Sequence, residues 1–219
     1  MKIQNISTFP ETIEIPPNES LVLLDNVDIN INRIIVLAEG ASLDFYSART
    51  RGRLQLHIIH RGKESISQIR CGFHAFQNGK IEAIIKSSFE TNSSKSEVHI
   101  LSLAETGGEV LLDSIIDIQE GTKNIIGRLK ERHIFLGSSG KIRGIPALVV
   151  HSDDIEASHA LAIDRISDEE LFYLRSRGFS RNDATGLLLD GAISEIFTGL
   201  QKGNEEIYEK CKKDISGIS

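Results

Sequence analysis

NGKIEAIIKSSF, residues 78–89, opens on Asn-Gly and then sets polar and apolar residues in alternation. A period of two places successive side chains on opposite faces, which is the pattern of a half-buried β-strand. The same form recurs in EGASLDF (39–45), TGGEVLL (106–112) and SGKIRGI (139–145). Each sets a glycine before a small, Lys or Glu residue and an apolar strand. Gly40, Gly79, Gly108 and Gly140 follow one another at intervals of about thirty to forty residues, a spacing that suggests a stack of similar units. A β-solenoid accounts for both the repeat and the alternation, whereas an antiparallel sandwich with similar turns accounts for the alternation alone.

Outward from these turns, strand patterns fill the region from Ser20 to Ala162: SLVLLDNVDININRIIVLAEG, GRLQLHIIH, EVHILSLA, EVLLDSIIDIQ and KIRGIPALVV. No amphipathic helix interrupts them, which excludes a doubly wound α/β fold. After Ile166 the period becomes helical. Ser167 and Glu170 have the spacing of a capping box, DEELFYLRSR follows, and Gly178 suits the left-handed position that ends a helix. Ser180 and Asp183 open a second helix, NDATGLLLDGAISEIFTGL, with Leu187, Leu188, Ile193, Ile196, Phe197 and Leu200 largely at helical spacing. The polar tail from Gly203 is expected to be a short, fraying helix. The division is thus a β body over residues 1–166 and a helical unit over residues 167–219.

The chain has 219 residues, 40% of them hydrophobic and 26% charged, with a net charge of −6. That composition suits a packed, mainly β domain and a cytoplasmic setting. The acidic balance argues against nucleic acid, since the one basic cluster, EKCKK, reads as a solvated helix end. No apolar run of about 18 residues is present and the N-terminus has no signal-peptide pattern, so no membrane partner is expected. Two cysteines, Cys71 and Cys211, are too few for a disulfide framework, and the sequons at Asn5, Asn18 and Asn92 then read as chance matches.

Three patterns carry possible chemistry. FLGSSGKI approaches a phosphate-binding loop, but Phe135 stands at the first glycine position, Ile142 follows the lysine and a strand follows instead of a helix. It is rejected. HIIH with CGFH offers His57, His60, Cys71 and His74 at zinc-like spacings. Residues three apart on a strand face opposite ways, however, so convergence would need an intervening turn. A metal-dependent solenoid enzyme using these four residues is one reading, and ordinary strand side chains are the other. His159 lies near Asp153, Asp154 and Glu156, between Ser158 and Ala160, where small neighbours permit close approach of another chain. Its plainer reading is a histidine bonded to a nearby turn.

SDDIEASHALAI (152–163), followed by DEELFYLRSRGFS (168–180), resembles the SufB/SufD family of iron–sulfur cluster assembly proteins. Members read D-D-V-x-C/A-S-H-G-A-T, a spacer, then E-x-L-F-Y-L-x-S-R-G. GRLKERHIFLGSSGKIRGIPALVVHSDD (127–154) is similar to the segment before it, with Pro146 and Leu148 in matching places. The resemblance is strong over 121–200 and continues to about Ser20. It implies a right-handed parallel β-helix with C-terminal helices that dock an ABC-type ATPase (SufC-like), and a second SufB/SufD-type subunit as partner. A transient iron–sulfur cluster at the subunit interface is implied as well, as is a chain without catalysis of its own. His159 matches an interface histidine implicated in cluster assembly. The family's upstream cysteine falls at Glu131, another cysteine position at Ala157 and a carboxylate position at Ala160, so the likeness is to a SufD-like accessory subunit. Leu171, Phe172, Tyr173, Leu174, Arg175 and Arg177 are the docking candidates, with packing on the body as the alternative for the apolar ones. The chain also reads as a reduced member without the N-terminal helical region. A structural β-helix that carries no cofactor is the remaining alternative.

Overall fold

The computed structural model describes residues 2–136, 138–166 and 168–217. In chain order the first strands are β1 (Ile3–Asn5), β2 (Thr12–Ile15), β3 (Ser20–Asp25), β4 (Ile31–Leu37), β5 (Ser42–Arg49) and β6 (Gly52–His60). They continue as β7 (Ile66–Ala75), β8 (Lys80–Phe89), β9 (Lys95–Ala104), β10 (Glu109–Ile118), β11 (Ile125–Phe135), β12 (Lys141–Val150) and β13 (Ile155–Arg165). A 3-10 turn, Ile6–Thr8, lies between the first two.

Odd and even strands separate into two sheets. One has the order β1-β3-β5-β7-β9-β11-β13 and the other β12-β10-β8-β6-β4-β2. Every pairing is parallel. Each strand therefore sits on the one two places before it, and the chain winds as a β-solenoid; the antiparallel sandwich is excluded. Alternation does the sorting: on β8, Ile81, Ala83, Ile85 and Phe89 enter the lumen, where a fully buried side chain of this size stabilises by about 1.5–3 kcal/mol.

The repeat length is not uniform. Ser20 bonds Ser42 22 residues on, whereas Ser67 bonds Ser96 after 29 and Arg128 bonds Glu97 across 31. The thirty-residue period thus holds only for the later coils, and the turn glycines divide accordingly. Gly108 and Gly140 each stack on the backbone of the coil below, at Ala75–Phe76 and Ala104–Glu105. Gly40 belongs to the opposite edge, where its left-handed backbone (φ 64°) packs on Asn18 (φ 59°). A Cβ there would lie 2.4 Å from the Asn18 amide oxygen, closer than real contacts allow.

Three helices follow: α1 (Asp168–Ser176), α2 (Arg181–Gly203) and α3 (Glu205–Ser216). Ser167, the first residue of the expected capping box, lies outside the described residues. Gly178 does take the left-handed conformation. Ser180 caps α2 by accepting from the Asp183 amide and donating to its carboxylate. Leu189, Ile193, Ile196, Phe197 and Leu200 of α2 pack on Val22, Leu24, Tyr46, Leu101 and Leu103, on the outer face of the odd-strand sheet. At Gly72 the tip of the Phe197 ring would lie 3.0 Å from a Cβ, so a side chain there would press on the seat of α2. The expected fraying tail is instead a docked helix. Tyr208, Cys211 and Ile215 of α3 are buried at helical spacing, and Gly217 ends it in the left-handed conformation.

Candidate functional site

The last coil differs from all the others. β12 and β13 are the final strands of their sheets and, like β1 and β2 at the other end, have one hydrogen-bonded neighbour each; what sets them apart is exposure. On β13, His159, Leu161 and Ile163 stand level with Leu129, Glu131 and His133 of β11 and share their lumen-facing row. On β11 that row is buried. On β13 it is open: His159 is exposed, Leu161 is 41% exposed and Ile163 64%. Ile145, Val149 and Val150 on β12 are exposed too. A parallel coil that expects another coil above it, and lacks one, leaves both an apolar row and two free backbone edges.

One strand inward lies a polar group inside the lumen. Glu131 is 1% exposed, and its carboxylate accepts a short hydrogen bond from the Ser114 hydroxyl across the lumen. His133, two residues on and hence on the same face, brings Nε2 to 3.2 Å from the other Glu131 oxygen. The contact is not an aligned hydrogen bond: that oxygen and both ring nitrogens of His133 are otherwise unpartnered, as is the hydroxyl of Ser102, level with His133 on β9. Glu131 and His159 are the two cluster-site candidates that the resemblance implies. The register offsets the two by two residues on adjacent strands and places His133 and Ser114 beside Glu131 instead. The period of two in KERHIF was the available signal for His133, whereas Ser114 comes from the opposite sheet and had none.

The HIIH–CGFH residues do not converge. His57 lies on the outer face, bonded to the Ser88 hydroxyl, with its pKa lowered by partial burial and by Lys86. His60 faces inward, stacks on Phe89 and bonds the hydroxyls of Ser65 and Ser67, and burial lowers its pKa to about 3. Cys71 is in the lumen core, while His74 faces the helices and donates from Nδ1 to the Ile215 carbonyl. The metal-enzyme reading fails on the alternation that counted against it. Among the described residues no group of three or more His, Cys, Asp or Glu side chains could hold a metal ion. Burial raises the Cys71 thiol well above its usual range and pushes Cys211 up to about 12, so neither is a ready thiolate.

The α1 candidates divide by exposure. Leu171 is buried and serves packing, and Leu174 is half-buried. Phe172 is 74% exposed, Tyr173 is exposed beneath the Arg177 guanidinium at 5.3 Å, and Arg175 is exposed. Phe179 and Leu187, beyond the turn, are exposed apolar residues that sequence reading did not single out. No described helix is long and apolar enough to cross a membrane.

Comparison with known proteins gives a consistent result. Residues 25–192 match the model of the SUF system FeS cluster assembly, SufBD core domain. The iron–sulfur cluster assembly protein SufD of Escherichia coli is 27% identical over 94 residues, which are 43% of this chain and 22% of that protein. A SufBD family protein of Pyrococcus horikoshii is 33% identical over 105 residues, 48% of this chain and 22% of its own length. The chloroplastic protein ABCI7 of Arabidopsis thaliana is 21% identical over 170 residues, covering 76% of this chain and 35% of the relative. The chain therefore spans only a part of each of these relatives.

Proposed function

The chain belongs to the SufBD core-domain family of the SUF iron–sulfur cluster assembly system, and from that premise we propose that it is a SufD-like scaffold subunit. It pairs through its last coil with a second SufB/SufD-type subunit and is coupled through α1 to an ABC-type, SufC-like ATPase. The observation that carries this reading is the open end of the solenoid, where Leu161 and Ile163 are exposed beside His159 on an unpaired strand edge. A partner strand seated there would satisfy the free backbone groups, cover the apolar row and bring its own ligands to His159.

In this role the nascent cluster is cargo. Thiolates are the usual ligands of such clusters, and this chain offers none at the open end, so the sulfur ligands come from the paired subunit. His159 contributes an imidazole at the interface. Glu131 and His133, one strand behind it, supply a buried carboxylate and imidazole beneath the apolar row. ATP hydrolysis belongs to the partner, and this chain catalyses no step. The exposed Phe172 and Tyr173 form the docking face, with Arg175 and Arg177 meeting acidic groups of the ATPase.

Co-purification with the SUF ATPase, wild type against Phe172→Asp with Tyr173→Asp, tests the coupling. Capture by the wild type and loss in the folded double variant is expected. Equal capture by both chains would move the docking face elsewhere, and no capture by the wild type would remove the ATPase from the reading. His159→Ala is expected to lower cluster delivery in anaerobic reconstitution without disturbing the fold.

A further inference from the structure

Asn78 and Gly79 form the one Asn-Gly pair in the sequence, and none of the functional assignments above uses it. Such a pair carries chemistry of its own. The backbone nitrogen that follows an asparagine can attack the side-chain amide carbon. Glycine has no Cβ beside that nitrogen, so it hinders the attack least.

The fold holds both reacting groups back. Asn78 is exposed and left-handed (φ 58°), at the third position of the turn Phe76–Gly79, a place that calls for positive φ. The attacking nitrogen is engaged, since the Gly79 N–H donates to the Phe76 carbonyl at 2.7 Å. The target is seated against the next coil. There the matching turn, closed by the Gly108 N–H on the Glu105 carbonyl at 2.9 Å, lays Gly107 on the Asn78 side chain. A Cβ on Gly107 would lie 2.5 Å from the Asn78 amide oxygen and 3.4 Å from its amide carbon. Beyond the turn the coils are tied again at once, where the Glu109 N–H donates to the Gly79 carbonyl at 2.8 Å.

The opposite edge repeats the packing without the chemistry. Asn18 is left-handed as well (φ 59°), and a Cβ on Gly40 would lie 2.4 Å from its amide oxygen. Glu19 follows it, and its N–H donates to the Pro16 carbonyl at 3.2 Å. A side chain there crowds the attacking nitrogen, so the stacked asparagine alone does not make a reactive site.

We propose that Asn78–Gly79 is a self-modification site gated by the stacking of the coils. When the turn opens, the Gly79 nitrogen bonds to Asn78 Cγ and the Cγ–Nδ2 bond breaks. Ammonia leaves, carrying the proton that the Gly79 nitrogen gives up. Water then opens the cyclic imide at one of its two carbonyls, leaving aspartate or isoaspartate. Isoaspartate routes the main chain through Cγ and so adds one atom to a turn whose exit is tied to the next coil. A chain altered in this way does not restack in register, and the opening of the coil over residues 66–89 is recorded irreversibly. The site stands independently of the assembly reading.

Peptide mapping by mass spectrometry tests it, on the full chain kept folded or held in urea at the same mildly alkaline pH. In urea Asn78 is expected to convert before any other asparagine. In the folded chain its conversion is expected to be at least about tenfold slower, because reaction then waits on opening. Gly79→Ala should slow the reaction in urea by about tenfold or more, a readout that does not depend on folding. Gly107→Ala presses a Cβ on the Asn78 amide and should raise the rate in the folded chain. The isoaspartate chain, once refolded, should unfold at a lower urea concentration than the wild type. Equal rates in the folded and unfolded wild type overturn the proposal, as does another asparagine converting first in urea. So does an isoaspartate chain as stable as the wild type, or a folded Gly107→Ala variant that converts no faster.

Discussion

The two ends of the solenoid are built from similar side chains and treated in opposite ways. At the first coil Ile6, from the 3-10 turn, is 0% exposed, and Ile13 and Ile15 of β2 are buried with it. At the last coil Leu161 and Ile163 occupy the equivalent inward row and remain open to solvent. Both ends carry edge strands, so the edge alone does not explain the difference. The first coil closes over itself because a turn between its strands folds an isoleucine into the lumen. Among the described residues the last coil has no such plug, and after β13 the chain passes to the helical unit on the outer face of the sheet. A sealed end serves stability, and an end left apolar and unsealed is the surface that the proposed pairing would cover.

The comparison can be broken most directly at the two isoleucines. Ile6→Ala is expected to cost about 2–4 kcal/mol by emptying a sealed volume, whereas Ile163→Ala should change the stability of the isolated chain by no more than about 0.5 kcal/mol. Urea unfolding of both variants measures this, and equal costs would mean that the ends do not differ.

Acid probes the sealed interior through His60, although His57, His74 and His99 outside the lumen are lowered as well. Burial lowers His60 to about 3 from an ordinary 6.5. Between those values the unfolded chain binds a proton that the folded chain does not, so the contribution is full above pH 6.5 and is lost as pH falls. The slope is about 1.4 kcal/mol per pH unit, or roughly 2–3 kcal/mol by about pH 4.5. His60→Gln should flatten that part of the stability profile, and an unchanged slope would place the acid sensitivity elsewhere.

Ser114→Ala removes the aligned donor to the buried Glu131 carboxylate and is expected to cost about 1–3 kcal/mol. If pairing closes the lumen above Glu131, that cost should grow in the paired form. The smallest effect on stability is expected at Phe172→Asp, within about 0.5 kcal/mol, because the side chain is largely exposed. Under the proposed coupling, its effect is expected in ATPase capture instead.

Much of this was legible from a period of two. Strands such as residues 80–89 declared their faces, and the same rule separates His57 from His60 and aligns His133 with Glu131. The uneven coil was not legible: Gly40 looked like Gly79, Gly108 and Gly140 because turn chemistry is local, while the edge to which a turn belongs depends on the number of residues in each coil. Nor was the docking of α3, although Tyr208, Cys211 and Ile215 mark one helical face, since a polar composition masked three apolar positions. Ser114 meets Glu131 only through closure of two sheets, a contact that no local pattern encodes. The openness of the last coil likewise follows from what fails to come after it, so its meaning emerged only with the coil in place.

The most direct test of the open end is sedimentation of the wild type and a Leu161→Asp, Ile163→Asp double variant, each alone and mixed with a thiol-bearing SufB-type subunit. Pairing by the wild type, with itself or with the sister subunit, and a folded double variant that stays monomeric in both conditions would support a docking face at the last coil. A wild type that remains monomeric alone and in the mixture, or a double variant that pairs as well as the wild type, would contradict it.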